Sequence, residues 1–322
     1  MVSSWQTKFE SEEACLNLKS WKTVLMAVVM VAVVAGCAKP ASDGSAGARK
    51  VVGVTLLTNT HAFFKALEAG LREEAALKGL DLIVVACEMD PAKQASQIED
   101  FVARKVSAIL AAPCDSTAIV PALATAEAAG IPVFTADISA HGGKIVSHVA
   151  SDNVQGGRLA AEALASRIGG KGKVIVIDHP TVASVQDRVR GFEEGLKKYP
   201  GITIVAKPSA DGQRAKATQI MEDMLQAHRD LVGVFGINDD SALGAAGVIE
   251  AAGRKDIVVI GYDATDEAQA AIRKGGPLKA DVVQFPQIIG KTAIDLIADH
   301  LAGVRVPALK AIDVGIWDGT GK

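Results

Sequence analysis

Aromatic side chains are scarce in this chain. Eight Phe, three Trp and two Tyr amount to 4% of its 322 residues, although 49% are hydrophobic. A core built without them rests on Ala, Val, Ile and Leu, which suit parallel strands covered by helices. Cysteine is almost missing as well, with Cys15, Cys37, Cys87 and Cys114 the whole complement. Their spacing fits no metal motif, and the six His are scattered without ligand spacing. Charge of one sign is not in excess. A net charge of −3 gives no reason to expect nucleic acid or an anionic membrane surface as a partner. No nucleophile elbow with its Ser, Asp and His order occurs, and no Walker-type phosphate loop. The glycine-rich "GGKGK" (169–173) precedes a strand-like run instead of opening a helix, so it reads as a solvated turn. These absences argue against an enzyme and against a bound cofactor.

A membrane-spanning run is lacking too. The apolar stretch Val24 to Ala35 falls short of the roughly 20 residues a spanning helix needs. With Lys19 and Lys22 before it, it has the size and flanks of a secretory signal core. It ends in "VAGC" (34–37), which resembles the lipobox of bacterial lipoproteins, in which the Cys is lipidated and becomes the mature N-terminus. The following "AKPASDGSAGAR" has the composition of a flexible tether. Residues 1–36 are therefore expected to be a signal peptide, and residues 37–49 a lipidated Cys37 and its tether. This places the protein on the extracytoplasmic face of a membrane, held by lipid alone. Glu10, Glu12 and Glu13 do not suit a signal n-region and suggest a start site set too early. Cys87 and Cys114 each end a strand-like run and read as small buried hydrophobes rather than a disulfide.

From Lys50 the chain alternates aliphatic runs with amphipathic ones. Strand-like runs fall at 51–57, 81–87, 108–113, 131–136 and 144–150, then at 173–178, 202–206, 231–237, 256–262 and 279–285. In "FFKALEAGLREEAALKG", Phe64, Leu67, Leu71 and Ala75 recur at helical steps, and Gly79 ends the helix. Another helix lies in "SDNVQGGRLAAEALASRIGG", with Ser151, Asp152 or Asn153 as cap and Gly169 as stop. Later helices are expected at 184–198, 213–227, 240–252, 265–274 and 286–302. Ten strands in two similar series predict an α/β protein with two doubly wound parallel-sheet lobes, in preference to one barrel. In such sheets ligands bind beyond the carboxyl ends of the strands, and those tips here are rich in Asp, Asn, Gln and His.

Six segments carry a longer resemblance: "NTHAFFKALEAGLREEAALKG", "IPVFTAD", "VSHVASDNVQGGRLAAEAL", "FGINDDSALGA", "VVIGYDAT" and "DVVQFPQIIGKTAIDLI". In this order they resemble the ribose-binding protein family, the periplasmic type I substrate-binding proteins of sugar ABC importers. The resemblance runs from Lys50 to about Asp313. It implies two lobes joined by three crossings near Ser151, Gln284 and Asp313, with a ligand clamped between them. Lobe one would be 50–151 plus 285–312, and lobe two 152–284 plus 313–322. It also implies a monomer, a small-molecule ligand and an ABC permease as partner.

Carried over residue by residue, the resemblance assigns Phe63 and Phe64 to the aromatic pair facing a sugar ring. Asp137, Asn238, Asp263 and Gln284 become polar contacts, and carboxylates and amides can serve adjacent hydroxyls. Four positions depart from the family. Ile138 stands where an Arg follows the Asp, Gln186 matches a second Arg with Arg188 two residues on, and Gly212 matches a third aromatic. His61 matches an Asn. The pocket is thus expected to be larger, less polar and less cationic than a ribose site, with His61 and Gln186 among the contacts and a ligand other than ribose. The plainer alternatives are that Asp263 and Asn238 cap helices and that Gln284 merely holds crossing backbone. His148 reads as structural. A repressor of the lactose type shares this fold but needs a helix-turn-helix before Lys50, where a signal and Cys37 stand instead. A lipoprotein presenting ligand to a chemotaxis or sensor-kinase partner is the competing function.

Overall fold

The computed structural model describes residues 49–320. The expected signal peptide, Cys37 and most of the tether lie outside the described residues. Strands and helices are numbered along the chain as β1 to β12 and α1 to α9.

β1 (Val51–Leu56), β2 (Asp81–Ala86), β3 (Ala108–Ala111), β4 (Val133–Ala136), β5 (Ile145–Ser151) and β11 (Leu309–Ile312) form one parallel sheet in the order β11-β5-β4-β3-β1-β2. β6 (Lys171–Ile177), β7 (Gly201–Ala206), β8 (Leu231–Gly236), β9 (Val258–Asp263), β10 (Leu278–Val283) and β12 (Gly315–Trp317) form the second, in the order β12-β10-β9-β8-β6-β7. Only the β12 edge of the second sheet is antiparallel. The central β3 and β4 are buried along their whole length, as parallel strands covered on both faces must be. The two-lobed α/β architecture is the one expected, with six strands per sheet in place of five. The two additional strands are short edge strands, and "LKAI" of β11 is mostly exposed, so neither carries an apolar run.

The chain passes between the sheets three times: after β5, after β10 and after β11. The first passage leads into α4 (Asn153–Arg167), which packs on α5 (Ala183–Leu196). Two glycines permit that packing. Gly157 faces the carbonyl of Arg188, and Gly191 faces the carbonyl of Val154, so closely that a Cβ at either position would overlap backbone. The second passage leads into α9 (Pro286–Leu301), which returns to lie on α1 (Ala62–Lys78). α1 turns its Leu67, Leu71 and Ala75 into the core and ends at left-handed Gly79, as its periodicity indicates.

Cys87 follows β2 and Cys114 follows β3, and the two form a disulfide with Cα atoms 6.9 Å apart. This corrects the expectation of two free buried cysteines. β2 and β3 flank β1, so their tips converge at the carboxyl edge of the sheet.

Candidate ligand-binding cleft

The carboxyl ends of the two sheets face each other across a cavity of about 320 Å³, within the range of small-molecule sites. Its lobe-one wall begins at the start of α1. His61 is the N-cap of that helix, and its Nδ1 accepts the backbone N–H of Phe63 at 3.2 Å. With Nδ1 accepting, the ring proton sits on Nε2. Nε2 points across the cleft at Asp240 (3.6 Å) and Asp263 (3.5 Å). Phe63 and Phe64 meet edge to face at 5.3 Å, and both line the cavity while nearly buried.

Asp137 follows β4 in the left-handed region, at φ 64°. A non-glycine residue held there costs about 1–3 kcal/mol and persists where its surroundings over-determine it. The side chain is 4% exposed, and its Oδ1 has no hydrogen-bond partner. Burial pushes the carboxyl up to about 7, against the pull of Arg188 and with a push from Asp263. Asp263 closes β9 with φ 119°. Its Oδ1 accepts from Gln284 Nε2 at 2.6 Å, while Oε1 of Gln284 is buried without a partner. Burial raises the Asp263 carboxyl as well, opposed by His61 and Arg188. Asn238 is the N-cap of α7 (Asp239–Ala251), accepting from Ser241 N–H at 2.9 Å and donating to Gly212 O at 3.0 Å. It therefore caps a helix and lines the cavity together. Asp263 caps nothing, since Thr265 caps α8 (Asp266–Lys274).

The structure brings together His61, Phe63, Phe64, Asp137, Ile138, Gly212, Asn238, Asp263 and Gln284. It does not bring Gln186 to them. Gln186 is exposed on α5, and its side chain donates to Pro180 O at 2.8 Å. Arg188 takes its place: 5% exposed, it lines the cavity, lies 3.9 Å over the Tyr262 ring, and donates to Asn153 Oδ1 and Ile237 O, both at 2.8 Å. The signal was in the helical period, because Ser184 and Arg188 share the buried stripe of α5 that Gln186 leaves. The cavity thus keeps one guanidinium that the expectation had removed. Asn153 holds that guanidinium rather than capping α4, a task left to Asp152.

Gly212 does line the cavity, at φ 68°. A Cβ there would meet Asn238 Nδ2 at 3.2 Å and His179 Nδ1 at 3.6 Å, so these two side chains border the position where the family has an aromatic. Much of the remaining lining is apolar, from Leu57, Met89, Ile138, Val182, Val185 and Ile237. His148, bonded to Thr135 Oγ1 at 2.8 Å, stays outside this cavity, as a structural role requires.

Direct bonds also cross the cleft. The N–H of Ser116, beyond β3, donates to Thr181 O at 3.0 Å, and its Oγ accepts from Ala183 N–H at 2.9 Å. Among the described residues no cluster of His, Cys, Asp and Glu is arranged to hold a metal ion, and no helix is long and apolar enough to cross a membrane.

The profile of the periplasmic binding protein domain matches residues 52–304. The ribose import binding protein RbsB of Bacillus subtilis is 39% identical to this chain over 270 residues, 84% of this chain and 87% of the relative. The D-apiose import binding protein of Actinobacillus succinogenes is 35% identical over 237 residues, 72% of this chain and 76% of the relative. A solved ABC transporter solute binding protein from Agrobacterium vitis, bound with α-D-tagatopyranose, has a TM-score of 0.80 at 30% identity, covering 84% of this chain and 95% of that one.

Proposed function

The chain belongs to the periplasmic binding protein family, and from that premise we propose that it captures a sugar or polyol outside the cytoplasm and delivers it to an ABC importer. It performs no chemistry on its cargo. One observation carries the reading. Paired aromatics on one wall of the cavity face a set of buried polar groups, two of which, Asp137 Oδ1 and Gln284 Oε1, accept no hydrogen bond. A sugar supplies what that arrangement lacks, an apolar C–H face for Phe63 and Phe64 and hydroxyl donors for the two acceptors. Buried bonds of this kind discriminate strongly against a missing or misplaced hydroxyl.

The lobes are proposed as 50–151 plus 285–312 and 152–284 plus 313–322, closing on the ligand by hinge motion. The Cys87–Cys114 disulfide suits an oxidising compartment, in keeping with a secreted chain tethered through lipid at Cys37. A ligand other than ribose is also proposed. Ile138 and Gly212 support it, while Gln186 no longer does, because Arg188 supplies a guanidinium.

A thermal-shift screen tests the function, using the compact unit from Ala48 onward against pentoses, hexoses, polyols and nucleosides. A ligand that binds only the folded state raises its melting temperature. Ribose giving the largest shift would sink the ligand argument, and no shift from any class would sink the importer reading. Asp137→Ala is expected to abolish binding while the apo protein stays folded, as read by calorimetric titration beside circular dichroism.

A further inference from the structure

Two buried carboxyls near Asp263 stay out of the lining of this cavity. Asp281 projects from the middle of β10 and is 0% exposed; Asp239 opens α7 and is 2% exposed. One oxygen of each holds the chain just beyond Asp263. Asp281 Oδ1 accepts the N–H of Ala264 at 3.0 Å. Asp239 Oδ2 accepts the N–H of Thr265 at 2.7 Å and its hydroxyl at 2.5 Å. The other oxygens, Asp281 Oδ2 and Asp239 Oδ1, are buried without a hydrogen-bond partner, on two carboxyls that hold consecutive backbone N–H groups. Two carboxylates offer only acceptors, so one proton between them would satisfy both of these oxygens.

The segment they grip is the strained one. Asp263 and Ala264 are consecutive non-glycine residues with φ of 119° and 53°. Such a turn has no local preference for this shape and must be held from outside. The hold works on the two backbone N–H groups directly after the side chain that faces Gln284 and His61.

We infer that Asp239 and Asp281 share one proton and together form a buried clamp that fixes the Asp263–Ala264 turn, so that Asp281 and Asp239 are positioning residues for the ligand contact at Asp263. This rests on the reading of the cavity as a sugar site, but the clamp itself can be read without ligand. Burial pushes both carboxyls upward, with Asp281 raised well above the usual range, as expected for the partner that keeps the proton. The charged groups facing the pair are each other and Asp263, and Asp263 in turn faces His61 and Arg188.

Two variants of the full chain test it. In Asp281→Asn the amide can accept from Ala264 with Oδ1 and donate to Asp239 with Nδ2, so the clamp survives without a shared proton. Asp281→Leu keeps comparable volume and loses both bonds. Hydrogen exchange at the Ala264 and Thr265 amides is read first, in the apo protein. Wild type and Asp281→Asn are expected to protect both, and Asp281→Leu to expose them while the rest of β9 and β10 stays protected. Infrared difference spectra at a pH of about 8, where an ordinary carboxyl is ionised, are expected to show one protonated-carboxyl band in wild type that Asp281→Asn lacks. D-ribose, D-apiose and D-tagatose then serve as calorimetric probes. Whichever binds is expected to lose about tenfold or more in affinity with Asp281→Leu and less than about threefold with Asp281→Asn. Unchanged exchange in Asp281→Leu overturns the clamp, as does an Asp281→Asn that behaves like it. Absence of the infrared band overturns the shared proton. If none of the three sugars binds wild type while exchange and infrared behave as stated, the clamp stands and the sugar reading takes the damage.

Discussion

At the scale of single residues, two neighbours on α5 separate alignment from geometry. Gln186 stands at the position that resemblance assigns to a guanidinium, yet it faces solvent. Arg188, half a turn on, reaches the cavity, stacks on Tyr262 and satisfies Asn153 and the Ile237 carbonyl. Arg188→Ala takes the donor from the buried Ile237 carbonyl, leaves Asn153 Oδ1 only its bond from the Tyr262 hydroxyl, and is expected to cost about 2–4 kcal/mol of stability, together with ligand affinity. Gln186→Ala is expected to change either by less than about 0.5 kcal/mol. Denaturant melts and calorimetric titration of the two variants side by side check the pair. Other single positions were legible in the sequence only in part. The tips that line the cavity could be named, because a strand's end is visible as the end of an aliphatic run. Their backbone state could not. Nothing in "TAD" or "GYDA" announces that Asp137 and Asp263 lie at positive φ, since that shape is imposed by tertiary bonds and not by local preference.

At the scale of elements, the period of the apolar residues located ten strands and seven helices to within a few positions, and gave no bounds for the helices at Pro91–Ala103 and Val120–Ala128. β11 and β12 escaped it because they are short edge strands that pair mainly through backbone, with little apolar pattern to read. The glycines of "NVQGGRLAAE" and "VRGFEEG" show their purpose only in the assembled pair of helices. At Gly157 and Gly191 the backbones of α4 and α5 approach too closely for a Cβ. Gly157→Ala must push α5 away at the carbonyl of Arg188 itself. It is expected to destabilise the protein by about 1–3 kcal/mol, although alanine favours helix. A matched substitution at Gly247, where a Cβ would meet nothing within 4 Å, is expected to be neutral or stabilising. Thermal melts of the two variants give the comparison.

At the scale of the whole molecule, the two-lobe architecture could be read from alternation and order, whereas the covalent tie across the first sheet could not. Cys87 and Cys114 look like two ordinary strand-end residues until the sheet order brings their tips together. With a sequence separation of 27, removing the link is expected to cost roughly 3–4 kcal/mol by the chain-entropy estimate. The double variant Cys87→Ala with Cys114→Ala, unfolded in denaturant beside oxidised wild type, measures it. A loss under about 1 kcal/mol would argue that the bond constrains little of the unfolded chain.

The Ser116 bonds to Thr181 and Ala183 involve no solute. On the proposed hinge closure these bonds support the shut form without solute, so an empty protein is expected to spend a share of its time shut. That share raises apparent affinity, because solute then meets a population already leaning toward the form that holds it. With delivery to an importer as proposed, it would also carry a cost in traffic, since each empty copy that is shut could occupy a docking place that a loaded one would have used. Ser116, beside the contacts of His61 and Met89 across the same cleft, would thus set retention of cargo against idle competition at the membrane.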